Sequence, residues 1–418
     1  MRVLWFTNTP SKASEEFNYK SFGGGWISSL ETLLTGTKKY ELGICFFYYG
    51  CNFRSISKDN VRYYGIPFQS GNVFRRIKSR HLTILDDEDP KHFDEIIEDF
   101  KPDIIHVFGT ESGFGKILMN RSEKILFNIQ GLIGPITDVY FPPGISKFKA
   151  FLRSDISSVI RGLTFMNKYK YFKKKAKREK LILNNFKYFI GRTEWDRNYV
   201  KLVNPGIKYF HCEEMLRQEF FKDIWAQPSI LNTGDEIIIA SIISSHPFKG
   251  LDLIYDAMNL LQEYKISWKI IGLDEDDLLN KIAKKRQKKN SEKHKIEFFG
   301  QIRANELVKQ LITCHFYVHP SYMDNSSNSI CEAMLLGMPV LASFVGGTKS
   351  LIQNWETGFL FNPYDKFDLA GLLIDLVNDY EKALYAGKFA REVALKRHSP
   401  EKILKELEGI YKYVFNEK

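Results

Sequence analysis

The chain has 418 residues, 44% hydrophobic and 26% charged, with a formal net charge of +10. That length exceeds one ordinary hydrophobic core, so two domains are expected. The composition excludes a disordered or collagen-like chain, and no apolar run approaches the roughly 20 residues that span a bilayer. Five scattered cysteines (Cys45, Cys51, Cys212, Cys314, Cys331) form no C-x-x-C pair. Their scatter argues against structural zinc or a disulfide framework and for a reducing cytoplasm.

In chain order, strands and helices alternate. Arg2 to Thr7 reads as a buried strand, its apolar start being too short for a signal peptide, and Gly23-Gly24-Gly25 then opens a helix over Ile27 to Leu34. Leu42 to Tyr49 and Val61 to Ile66 read as strands and Phe93 to Phe100 as a helix. Ile104 to Phe108, Ile125 to Ile129 and Tyr188 to Gly191 read as further strands. Turn chemistry between Phe221 and Asp235, with Gln227-Pro228 and Asn232-Thr233-Gly234, marks a boundary.

The theme then repeats. Strands are expected over Glu236 to Ser241, Trp268 to Gly272, Ile296 to Phe299 and His315 to Val318. Helices are expected over Leu251 to Leu261, Leu278 to about Lys289, Asn305 to Thr313 and Pro400 to Phe415. This is an α/β chain of two Rossmann-like doubly wound parallel-sheet domains, residues 1–225 and 226–399, facing a cleft.

Charge is concentrated in residues 147–187, with thirteen Lys and Arg against two acids, Asp155 and Glu179. The remainder of the chain is near neutral. Aromatic and aliphatic residues interleave with these cations, which suits a peripheral helix on an anionic membrane surface. The competing reading is a solvated helix with snorkelling lysines. A nucleic-acid partner is not expected, because no recognition motif or second basic patch accompanies the segment.

The densest chemistry lies in His319 to Gly347, HPSYMDNSSNSICEAMLLGMPVLASFVGG. A strand end leads into Asp324, the polar run Asn325, Ser326, Ser327, Asn328 and Ser329, and then Glu332 on a helix; a second strand stops at Gly346-Gly347. Ligands of open parallel sheets bind beyond the carboxyl ends of the strands, and this polar loop suits hydroxyls and phosphate. Ser329-Ile330-Cys331-Glu332 also fits a capping box, which would make Glu332 structural. Lys249, in Pro247-Phe248-Lys249-Gly250, precedes a helix start that favours an anion. Gly23-Gly24-Gly25 before a helix has the same quality without a dinucleotide or P-loop spacing. Asp87-Glu88-Asp89 and Asp274-Glu275-Asp276 match a metal-binding D-x-D only in letters, and no metal is expected.

The span from Pro320-Ser321 through two acids flanking seven residues to Gly346-Gly347 resembles the donor site of GT-B glycosyltransferases of family four. The first acid, usually Glu there, is Asp324. The resemblance implies transfer of a sugar from a nucleotide-diphosphate donor to an acceptor hydroxyl, with retention of configuration and no cofactor. It implies that Glu332 meets the ribose, Asp324 the donor sugar and Lys249 the diphosphate, with backbone N–H groups of Gly346 and Gly347 near the phosphates. Ser244 stands where an Arg is usual; Ser245 follows it, and Arg192 or Arg217 is expected to substitute.

On the acceptor side, Gly23, Gly24, Gly25, Gln130 (in place of a usual His), His106, Glu111, Arg192 and Arg217 are candidates, His106 being more readily read as structural. The resemblance implies that the tail from residue 400 to 418 returns to the first domain. Combined with the basic segment, this suggests a saccharide or polyprenyl-diphosphate-linked saccharide acceptor at the inner face of the cytoplasmic membrane, in bacterial polysaccharide synthesis. An epimerase of the same fold, or a non-catalytic sugar-nucleotide-binding partner, is the alternative.

Overall fold

The computed structural model describes residues 1–19, 24–68, 73–85, 87, 90–152, 156–226, 234–287 and 292–417. Gly23, Glu88, Asp89, Gln227, Pro228, Asn232 and Thr233 lie outside the described residues. The chain forms two compact units: Met1–Thr137 with Ile156–Met215 and His398–Lys418, and Asp138–Asp155 with Leu216–Arg397.

The first unit holds an eight-stranded sheet: β1 (Arg2–Thr7), β2 (Glu41–Tyr48), β3 (Arg54–Lys58), β4 (Val61–Pro67), β5 (Ile104–Phe108), β6 (Ile125–Asn128), β7 (Tyr188–Gly191) and β8 (Lys208–His211). Its spatial order is β3-β4-β2-β1-β5-β6-β7-β8. All pairings are parallel except β3 with β4. That hairpin was not expected. It turns on Asp59-Asn60, both at positive φ (50° and 62°), the two-residue geometry that matches strand twist.

Alternation along β1 sends Val3 and Trp5 to one face and Leu4 and Phe6 to the other, each into its own core. The helix Pro400–Asn416 closes the Trp5 side with Ile403, Leu407, Ile410, Tyr411 and Val414. Helix Phe93–Phe100 and the end of helix Phe165–Asn185 cover the other side.

The second unit holds a six-stranded parallel sheet: β9 (Glu236–Ile242), β10 (Lys265–Ile271), β11 (His294–Phe298), β12 (Phe316–His319), β13 (Val340–Ser343) and β14 (Phe359–Phe361). The order β11-β10-β9-β12-β13-β14 reverses direction between β9 and β12. This is the switch point at which doubly wound sheets open a crevice beyond their carboxyl ends.

Two expectations need correction. The basic segment is not one body: Lys147–Leu152, Ile156–Ile160 and Phe165–Asn185 are separate helices, and the first groups with the second unit. There Arg286 Nη1 donates to the Gly144 carbonyl at 3.1 Å, and Tyr140 packs against Phe248 with ring centroids 5.9 Å apart. The units also part after Met215 rather than at 225, because Trp225 already donates its indole N–H to the Cys314 carbonyl (2.8 Å) inside the second.

Candidate functional site

In the second unit, the loops after β9 and β12 are tied together before any side chain is considered. Gly250 sits at φ +80°, and a Cβ there would lie 2.0 Å from the Pro320 carbonyl oxygen. Only glycine permits that approach. Tyr322 N–H then donates to the Phe248 carbonyl at 2.8 Å. The two loops flank the switch point, and this staple sets Lys249 beside Asp324, Nζ to Oδ2 at 2.8 Å.

Asp324 is held from several directions. His319 Nε2 lies 3.1 Å from the same Oδ2, and Asn325 N–H donates to Oδ1 at 3.0 Å. Burial alone would raise its pKa, but the Lys249 ammonium and the His319 hydrogen bond outweigh it and hold the carboxyl well below the usual range. Burial lowers the pKa of His319, with Asp324 opposing. The imidazole is therefore neutral at pH 7 and donates from Nε2 to the carboxylate.

Gly346, at φ +48°, passes so close that a Cβ would meet the Asp324 carbonyl at 2.0 Å, and Gly347 N–H donates to that carbonyl at 3.1 Å. The Gly347 N–H thus holds the Asp324 loop rather than being presented to a phosphate.

Glu332 does not form the capping box. The helix Asn328–Leu336 has Ser327 at its N-cap with no side-chain cap, and Ser327 Oγ pairs with Ser329 Oγ at 2.8 Å. Glu332 instead takes Arg217 in a two-pronged pair, Nε–Oε1 at 2.7 Å and Nη2–Oε2 at 2.6 Å. Each carboxylate oxygen keeps a lone pair for a ligand hydroxyl. Burial raises the Tyr317 phenol, and the charges of Glu332 and Asp324 add to that rise, so both acids act on one neighbourhood.

Arg217, expected on the acceptor side, thus belongs to the second unit. Ser244 is exposed, while Ser245 Oγ donates to Asp277 Oδ1 at 3.0 Å. Asn325 and Ser326 are buried in the same loop, with Ser327 and Asn328 partly exposed at its helix end. His319 and Tyr322 were not singled out from the sequence, although they lie in the same stretch.

The first unit carries its own cavity of about 340 Å³, with Asn8, Gly24, Trp26, Phe108, Glu111 and Gln130 in its lining. Gly24 caps the helix Gly25–Gly36 at φ +79°. Glu111 Oε1 accepts from Asn8 Nδ2 at 2.7 Å, and its Oε2 is buried without a hydrogen-bond partner. Burial pushes its pKa up.

Glu179, one of the two acids of the basic segment, turns inward. It accepts from Ile133 N, Gly134 N and Thr110 Oγ1 at 3.0, 2.9 and 2.8 Å, and burial pushes its pKa up to about 7.

Two candidates fall away. His106 is fully buried, stacked on Phe108 at 4.1 Å and bonded through Nδ1 to Tyr411 Oη at 2.8 Å. Burial lowers its pKa to about 3, so it is a neutral core residue. Arg192 is buried between Glu213 (3.2 Å) and Glu214 (3.0 Å), which leaves no net cation for a diphosphate. Gln130 Nε2 donates to Glu214 Oε1 in the same network.

Two doubly wound units of this order define the GT-B fold. Residues 223–393 match the family described as glycosyl transferases group 1. A curated relative, the sulfoquinovosyl transferase SQD2 of Arabidopsis thaliana, is 32% identical over 147 residues, 34% of this chain and 27% of that protein. The chain therefore matches well under two thirds of that relative's length.

Likeness to solved structures extends further along the chain. Sucrose-phosphate synthase from Thermosynechococcus elongatus superposes with a TM-score of 0.73 at 16% identity, covering 99% of both chains. Anabaena Alr3699/HepE, solved with UDP and glucose, gives 0.65 at 14% identity and 99% of both.

Proposed function

We propose that the protein is a retaining glycosyltransferase that moves a sugar from a nucleoside-diphosphate donor to an acceptor hydroxyl. The bond from the sugar C1 to the β-phosphate oxygen breaks with its electron pair leaving on the diphosphate; the acceptor oxygen bonds to C1 and gives its proton to the departing diphosphate oxygen. The chemistry asks for positive charge on the departing diphosphate more than for a nucleophile. Lys249 has three N–H donors, so it can hold Asp324 and a phosphate together. Asp324 faces the sugar, and the Arg217–Glu332 pair offers acceptors to the ribose.

The observation that carries this reading is the 2.8 Å Lys249–Asp324 pair at the switch point, in a segment that matches the group 1 family. The first-unit cavity is the acceptor side. The acceptor is a saccharide, carried on polyprenyl diphosphate at the inner face of the cytoplasmic membrane in bacterial polysaccharide synthesis; the cations of residues 147–187 support that placement. Among the described residues no helix is long and apolar enough to cross a membrane.

Thermal unfolding against a panel of nucleotide sugars tests the donor. A ligand that binds only the native state raises the melting temperature by mass action. A panel in which none does so, at concentrations that saturate ordinary transferases, overturns the reading.

A further inference from the structure

Helix Val73–Leu82 (VFRRIKSRHL) has no buried residue, and neither has helix Ile156–Ile160. Helices this short are marginal in water and owe their stability in proteins to burying an apolar face. Here the apolar residues point outward: Phe74 is 85% exposed, Ile156 80% and Ile160 63%, with Val73, Leu82 and Val159 also exposed, as is Ile84 just past the first helix.

The two helices meet at their ends. His81 Nε2 lies 3.0 Å from the Ile160 carbonyl, and a Cβ on Gly162 would come within 2.9 Å of Arg80 Cβ. Lys174 Nζ, from the long basic helix, bonds the Leu82 and Thr83 carbonyls at 3.3 and 2.7 Å and so fixes the first helix by its C-terminus.

We infer that these two helices form one docking face for an anionic lipid bilayer. At about 100° per residue, Val73, Phe74, Ile77 and His81 fall within one side of the first helix. Arg75, Arg76, Lys78 and Arg80, with Ser79 and Leu82, occupy the rest, and the helix contains no acid. An apolar strip flanked by cations matches the boundary between acyl chains and anionic headgroups. A second copy of this chain would bring the same positive charge to the face, and nucleic acid would leave Phe74, Ile156 and Ile160 without a partner. The inference rests on the proposed membrane-borne acceptor for its purpose, but it moves the contact from the lysine-dense helix Phe165–Asn185 to these two short ones.

Sedimentation of the full chain with vesicles tests it, using phosphatidylcholine alone and phosphatidylcholine mixed with phosphatidylglycerol. The wild type is expected to bind the mixed vesicles only. F74E and I160E, both at exposed positions, are each expected to weaken that binding at least about tenfold while keeping the wild-type melting temperature. Wild-type binding equal on both vesicles, or absent from both, overturns the inference. So does retention by F74E and I160E while K173E/K177E abolishes binding. Stabilisation by nucleotide sugars is read without vesicles, so loss of the docking face and loss of the transferase reading are separate results.

Discussion

Arg217 and Glu332, 115 positions apart, meet in a two-pronged ion pair with the carboxylate nearly closed to solvent (side-chain exposure 4%). Removing one partner strands a buried charge. Arg217→Met is expected to lower stability by roughly 3–5 kcal/mol, and adding Glu332→Gln to recover part of that loss. Urea unfolding of the two single variants and the double variant measures the coupling; purely additive losses would remove the pair from the account.

Gly250→Ala tests the staple between the two loops. The added methyl must clear the Pro320 carbonyl, 2.0 Å away, from a left-handed backbone. The expected loss is at least about 2 kcal/mol, from backbone strain and displacement of the loop. Donor affinity should fall with it, because Lys249 moves away from Asp324. A variant with wild-type stability and affinity would show that the close approach does not position the site.

Lys249→Ala tests the proposed contact between its ammonium and the donor diphosphate. Transfer is expected to slow by about 10²–10³-fold, the usual consequence of deleting one preorganised donor to the developing charge. Asp324→Ala should fall comparably. Steady-state rates with a fixed donor decide it, and a loss confined to KM would assign Lys249 to uniform binding instead.

Asp252 gives a pH signature. It is buried, accepts from Tyr322 Oη at 3.1 Å, and has its pKa raised by burial to about 6 from an ordinary 3.8. The folded state therefore holds the proton more tightly than the unfolded chain, and stability falls as pH rises between about 4 and 6. Each pH unit across that window costs up to about 1.4 kcal/mol. Asp252→Asn removes this slope, so the variant should gain on the wild type by roughly 3 kcal/mol between pH 4 and pH 7. Parallel stability profiles for the two proteins would contradict it.

Tyr411→Phe tests the assignment of His106 to the core. Its hydroxyl meets His106 Nδ1 at 2.8 Å and accepts from Trp5 Nε1 at 3.1 Å. Losing it leaves two buried polar groups unpaired, for an expected cost of about 2–4 kcal/mol. Activity per folded molecule should stay at the wild-type level. A selective loss of turnover with stability unchanged would return His106 to the site.

Local pattern carried much of this architecture. Phe93–Phe100, Ile104–Phe108 and Tyr188–Gly191 fall where apolar periodicity places them, because each is a short element buried along its own length. Long-range chemistry was less legible. Nothing near Arg192 announces that Glu213 and Glu214, more than twenty residues on, neutralise it. The Ser329-to-Glu332 spacing suggested a cap, yet a distant guanidinium competes better for that carboxylate than a backbone N–H does. The exposed helix Val73–Leu82 was passed over because its sequence is polar on most sides and its apolar strip is short.

The union of Trp5, His106 and Tyr411 also bears on how the molecule is made. The helix that seals the Trp5 face of the first sheet is translated some four hundred residues after the strand it covers. During synthesis that face has the helix Gly25–Gly36 but lacks its closing helix while the second unit emerges, so the nascent chain passes through a stage with part of this aromatic core open, which chaperones are suited to shield.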